Sequence, residues 1–115
     1  MSKFDNYVAP DVTIGTRSNI GAACIVAEKC TVGDKCSVKR TVLGRNCRLG
    51  NNVKVVNSVI GDHVELEDGC NVQGSIVCSN AVLQERCQLR DCQVAPGVTV
   101  EAKMEHRSEA LECQS

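Results

Sequence analysis

An aliphatic residue returns every five or six positions along most of this chain, and that spacing constrains the fold more than any other feature. Stepping by six from Val8 reaches Ile14, Ile20, Val26, Val32 and Val38. The step shortens to five at Leu43, and again at Ile60, Val77 and Val94; six-residue steps lead through Leu49, Val55, Leu66, Val72, Leu83, Leu89 and Val100. All seventeen positions are Val, Ile or Leu. Neither a helical period of 3.6 residues nor strict alternation produces this pattern. Leu43, Ile60, Val77 and Val94 also recur every 17 residues, so three short steps close one larger turn.

Such a period is the hexapeptide signature of a parallel β-helix. Three short strands make each triangular coil, and each coil hydrogen-bonds to the next at a spacing of about 4.8 Å. A single coil cannot bury its inner face, whereas a stack builds one continuous core. Composition agrees: the only aromatic residues are Phe4 and Tyr7, and there is no Trp, so Val, Ile, Leu, Cys and Ala must fill a narrow interior. The pattern predicts an entry or cap over 1–7, a solenoid of about five to six coils over 8–104, and a C-terminal tail or helix over 105–115.

The repeat also sorts residues into inward and outward positions. Glycine follows the anchor at Gly15, Gly21, Gly33, Gly44, Gly50 and Gly61. Sharp corners with positive φ would favour glycine there. Counting four residues forward from each anchor gives a second, small inward set: Val12, Ser18, Cys24, Cys30, Cys36, Val42, Cys47, Val53, Val59, Val64, Cys70, Ile76, Ala81 and Cys87, with Gln93 as an exception.

Six of the nine cysteines fall in that set. Metal binding needs four ligands converging on one ion, and no C-x2-C pair occurs. Cys30 with Cys47, and Cys70 with Cys87, should lie one coil apart, but with side chains parallel instead of facing. These thiols therefore read as small buried hydrophobes. Cys78, Cys92 and Cys113 are expected outside and should label first. No apolar run approaches membrane-spanning length, and no secretory signal opens the sequence, so a reducing cytosolic setting is expected.

Charge divides unevenly. Residues 1–58 carry nine Lys/Arg against four Asp/Glu, and residues 59–115 carry four against ten. Asymmetry of this kind points to a charged partner. The candidate binding residues are Lys29, Lys39, Arg40, Arg45, Arg48 and Lys54, all outside the anchor and inward sets; Glu65, Glu67 and Asp68 follow one or two coils later. Without aromatic platforms for base stacking, a protein partner is expected over RNA or DNA.

The run from Ser37 to Lys103, with the segments "VKRTVLG", "NVQGSIVCSNAVL" and "VEAK", resembles the C-terminal hexapeptide domain of the gamma subunit of eukaryotic translation initiation factor 2B. That resemblance implies an all-β, left-handed parallel β-helix, a hand opposite to the usual crossover rule. It also implies an isolated piece of a longer protein that carries a nucleotidyltransferase-like domain. The implied role is a non-catalytic scaffold supporting an epsilon–gamma subcomplex that promotes GDP/GTP exchange on translation initiation factor 2. Its partners would be the epsilon subunit, other exchange-factor subunits and the initiation factor, with no membrane and no cofactor. Alternatives are the oligomerisation domain of a sugar nucleotidyltransferase and a hexapeptide acyltransferase. Acyltransferases of that type use a His beside an extended loop; His63 sits in "IGDHVE" with no insertion nearby, so no enzyme activity and no catalytic residue are expected.

Overall fold

The computed structural model describes residues 7–21 and 23–111. The first coil consists of β1 (Tyr7–Val8), β2 (Thr13–Ile14) and β3 (Asn19–Ile20). The second is β4 (Ile25–Val26), β5 (Thr31–Val32) and β6 (Ser37–Lys39), and the third is β7 (Val42–Leu43), β8 (Arg48–Leu49) and β9 (Lys54–Val56). Next come β10 (Val59–Ile60), β11 (Glu65–Leu66) and β12 (Asn71–Gln73), then β13 (Ile76–Val77), β14 (Val82–Leu83) and β15 (Gln88–Arg90). A sixth coil, β16 (Gln93–Val94), β17 (Thr99–Val100) and β18 (Glu105–Arg107), is followed by β19 (Ala110–Leu111).

These strands stack into three parallel walls. The first wall has seven strands, β1-β4-β7-β10-β13-β16-β19; the second runs β2-β5-β8-β11-β14-β17 and the third β3-β6-β9-β12-β15-β18. The solenoid is left-handed. Residues one coil apart are partners throughout: Val26 with Leu43, Leu43 with Ile60, Ile60 with Val77 and Val77 with Val94. Anchors from Val26 to Val100 are all buried, while Ile14 in the first coil is 41% exposed. Ile14 lies on the edge strand that opens the second wall, whereas Val100, on the edge strand that closes it, is only 3% exposed.

The expected helix or tail is, over residues 105–111, two further strands of the same stack. The repeat in fact continues, with His106 over Leu89 and Leu111 over Val94. A polar residue in an anchor position hid it. Residues 1–6 and 112–115, with Cys113 among them, lie outside the described residues.

Two further expectations need correction. Gly15, Gly21, Gly33, Gly44, Gly50 and Gly61 do not carry the positive φ; among non-glycines it falls later in each corner, as at Lys29 (φ 59), Asn46 (φ 57) and His63 (φ 57). Glycine is needed for space instead. A Cβ on Gly44 would stand 2.6 Å from the carbonyl carbon of Gly61, and one on Gly33 would stand 2.7 Å from that of Gly50.

The second correction concerns the inward set. Val42, Val59 and Ile76, read as inward, are 39%, 46% and 45% exposed, and Cys92, read as outward, is 1% exposed. In a five-residue step the corner itself loses a residue, so the small inward position falls three after the anchor. Thr41, Ser58, Ser75 and Cys92 hold it, and all are buried. Six-residue corners keep the expected inward residues, including Cys24, Cys30, Cys36, Cys47, Cys70 and Cys87.

Candidate interaction surface

Inside the prism the polar chemistry is satisfied by the stack itself. The Cys30 thiol donates to the carbonyl of Gly44 at 2.9 Å, Cys36 to Gly50 at 2.9 Å, Cys47 to Gly61 at 3.0 Å and Cys87 to Glu101 at 2.8 Å. All eight described cysteines are thiols. Burial pushes the Cys70 thiol up to about 12 from an ordinary value of 9.0, and raises Cys36 and Cys87 as well. Contact with the Cys30 sulfur, then burial, holds Cys47 well above the usual thiol range. The same contact with Cys47 lowers the buried Cys30 thiol to about 7. Among the described residues no three His, Cys, Asp or Glu side chains come together as metal ligands would.

The six candidate cations are all exposed. None forms an ion pair with a described residue; among the described residues the ion pairs are His106–Glu109 and Arg107–Glu105. The fold separates them into two groups. Lys39 on β6 and Lys54 on β9 face outward from neighbouring strands of the third wall, and Arg40 follows at the corner leading to the first wall (φ 50). Lys29 and Arg45 lie at the opposite corner, between the first and second walls, with Arg48 just beyond on β8. The first wall stands between the two groups. The sequence places all six outside, and the structure shows that they do not make one patch.

Acidic residues follow on the second wall, where Arg48 pairs in register with Glu65. Arg48, Glu65, Glu67, Asp68 and Glu85 line an open groove of about 350 Å³ there. The histidines are far less concentrated. His63 is an exposed corner residue whose backbone N–H donates to the Arg45 carbonyl at 2.8 Å. His106 is half-buried, with Nδ1 3.4 Å from Glu109 Oε2.

What separates the cations was not anticipated. Ile25, Val42, Val59 and Ile76 form a continuous outward column on β4, β7, β10 and β13, between 39% and 49% exposed. The next outward residues along those strands, Ala27, Gly44, Gly61 and Cys78, are small and uncharged. Counting back two residues from each anchor, instead of forward four, finds the inward residue in both kinds of corner and leaves these four, one before their anchors, on the outside.

The model for the EIF2B subunit epsilon LbH domain, a left-handed β-helix, matches residues 3–106. No curated protein matches the chain. Among solved structures it is similar to perosamine N-acetyltransferase from Caulobacter crescentus in complex with CoA and GDP-perosamine. That match has a TM-score of 0.90 and 13% identity, and covers 96% of this chain and 54% of the other. A structure titled PerB, from the same organism and with the same two ligands, gives a TM-score of 0.82, 12% identity and coverages of 90% and 52%. The chain thus spans about half the length of the solved proteins it matches. These neighbours correct the expectation that the chain is no enzyme, because the same solenoid is the fold of CoA-binding acetyltransferases. At such identities the likeness is one of fold.

Proposed function

The chain belongs to the family of EIF2B left-handed β-helix domains, and from that premise we propose that it is a scaffold domain of the gamma subunit, docking the epsilon subunit in the cytosol. In this role it supports the subcomplex that promotes GDP/GTP exchange on translation initiation factor 2. The match of residues 3–106 to the EIF2B epsilon domain model supports the exchange-factor context and does not choose the subunit. The gamma assignment draws its support from "VKRTVLG", "NVQGSIVCSNAVL" and "VEAK". Lys39, Arg40 and Lys54, exposed together with no ion-pair partner among the described residues, supply the cationic contact for an acidic partner surface.

Pull-down from cytosolic extract tests it. The wild type should retain the epsilon subunit and the initiation factor, with retention falling as salt rises. The double variant Lys39→Glu/Arg40→Glu should lose both while keeping its fold, because both side chains are exposed. Unchanged capture by that variant refutes the patch. Acetyl-CoA turnover by the purified chain would instead favour the chemistry of the structural neighbours.

A further inference from the structure

The first wall has an uncharged outer face of a kind that neither other wall presents. Its outward residues from β4 to β13 are Ile25, Val42, Val59 and Ile76, at 49%, 39%, 46% and 45% exposure. The second wall shows Thr31, Arg48 and Glu65 at equivalent positions, and the third shows Ser37, Lys54 and Asn71. Contiguous exposed apolar surface marks an interaction site. Every strand in this wall is in register with its neighbours, so the column is straight and the face flat.

We propose that this face binds the same face of a second copy, antiparallel, about a two-fold axis that runs along the strands between β7 and β10. That axis sets Ile25 against Ile76 of the second copy and Val42 against Val59, so every large apolar side chain of the column meets another. The rim selects this arrangement. Arg45 and Asp62 occupy the same corner one coil apart, since the Arg45 N–H donates to Asp62 Oδ1 at 2.8 Å. The antiparallel axis therefore places each Arg45 guanidinium opposite Asp62 of the second copy, twice per dimer. A two-fold axis along the solenoid would instead oppose Arg40 with Arg45, two cations facing each other. Isologous closure leaves no apolar face open to further copies.

Size sets the strength. Six strands of the wall, β1 to β16, span about 29 Å at the usual strand spacing, and the molecule is 25 Å by 21 Å across. The face thus offers about 600 Å² per copy, at the lower bound for a specific interface. Self-association should be micromolar. The dimer is independent of the proposed translation-factor role, since it involves only purified chain.

Sedimentation velocity from about 5 to about 500 μM spans the Kd expected of an interface this size. Wild type should pass from monomer to dimer, and Val59→Glu should weaken association by at least about tenfold with an unchanged circular dichroism spectrum. Arg45→Glu and Asp62→Lys should each dimerise poorly alone, because each places like charges opposite one another. An equimolar mixture should dimerise again: the introduced glutamate of one variant then meets the introduced lysine of the other, while the unaltered Asp62 and Arg45 meet in the second pair. A wild type that stays monomeric throughout, a dimer indifferent to Val59→Glu, or a mixture of folded variants that fails to recover overturns the proposal. Should Asp62→Lys not fold, the concentration series and Val59→Glu decide it.

Discussion

From the second coil on, the corners that end the third wall are one residue shorter than those that end the other two, and that residue changes the chemistry of everything beside it. In six-residue corners the inward residue can close a turn on its own corner: the Cys70 N–H donates to the Glu67 carbonyl and that of Cys87 to Gln84, both at 3.4 Å. A side chain there need only be small, and thiols, Val and Ala all serve. The five-residue corner is too short for that bond. Its inward N–H turns to a hydroxyl one coil away, as Ser75 N–H donates to Ser58 Oγ at 3.2 Å and Cys92 N–H to Ser75 Oγ at 3.1 Å. Each hydroxyl also donates to its own corner carbonyl, Ser58 to Val56 at 2.8 Å and Ser75 to Gln73 at 2.9 Å. Shortening a corner therefore brings a hydroxyl inside at Thr41, Ser58 and Ser75, with Cys92 taking the last such position, and turns Val42, Val59 and Ile76 outward.

The strongest way to break this contrast is Ser75→Val. It removes one acceptor and one donor from a site 1% exposed, leaving the Cys92 N–H unpaired, while the Gln73 carbonyl keeps the Asp91 N–H at 3.0 Å. An unsatisfied buried group costs about 1–3 kcal/mol, so a loss of about 2 kcal/mol is expected in urea unfolding. Cys87→Ala, at the same depth in a six-residue corner, should cost about 1 kcal/mol, the price of a small truncation. Equal losses would mean that the hydroxyl has no special role.

Gly44→Val comes next. The residue after an anchor in a six-residue corner lies against the following coil, where a Cβ would come within 2.6 Å of the Gly61 carbonyl carbon. Overpacking of this sort costs about 2 kcal/mol. The equivalent residue in a five-residue corner, such as Val56, already carries a branched side chain because it continues the strand. Val56→Gly should therefore not gain stability, whereas a gain would show that the third wall is as crowded as the first.

These contrasts also explain how far the sequence could be read. Columns of anchors were legible because a buried aliphatic stripe tolerates no polar interruption along its length, and the cysteines were legible as packing because their spacing follows the coil. The corners were not. A forward count from each anchor misplaces the inward residue by one whenever a turn is shortened, which hid Thr41, Ser58 and Ser75 and made Cys92 look exposed. His106 concealed the last coil for a different reason: at the end of a stack an anchor is covered on one side only, so a polar residue is tolerated. The grouping of the six cations depends on which wall each occupies, and charge alone carries no such information.

Thiol titration separates the two corner types by pH. Cys70 is neutral when protonated, and burial raises its folded pKa to about 12 from 9.0. A raised folded value contributes stability that is fully present below pH 9 and is lost as pH climbs towards 12. Unfolding free energy should therefore decline across that window, and Cys70→Ala should flatten the decline. Serine-lined corners have no group titrating there. In native labelling at neutral pH, Cys78 should react ahead of Cys92, which is 1% exposed.

The smallest effect is the most diagnostic for the surface. Val59 and Ile60 are adjacent, yet Val59 is 46% exposed and Ile60 is 1% exposed. Val59→Thr keeps the branched shape a strand prefers, so monomer stability should change by no more than about 0.5 kcal/mol. Ile60→Thr puts a hydroxyl among aliphatic anchors and should cost several-fold more in the same urea titration. Comparable losses at the two positions would return Val59 to the interior, and with it the apolar face of the first wall would disappear.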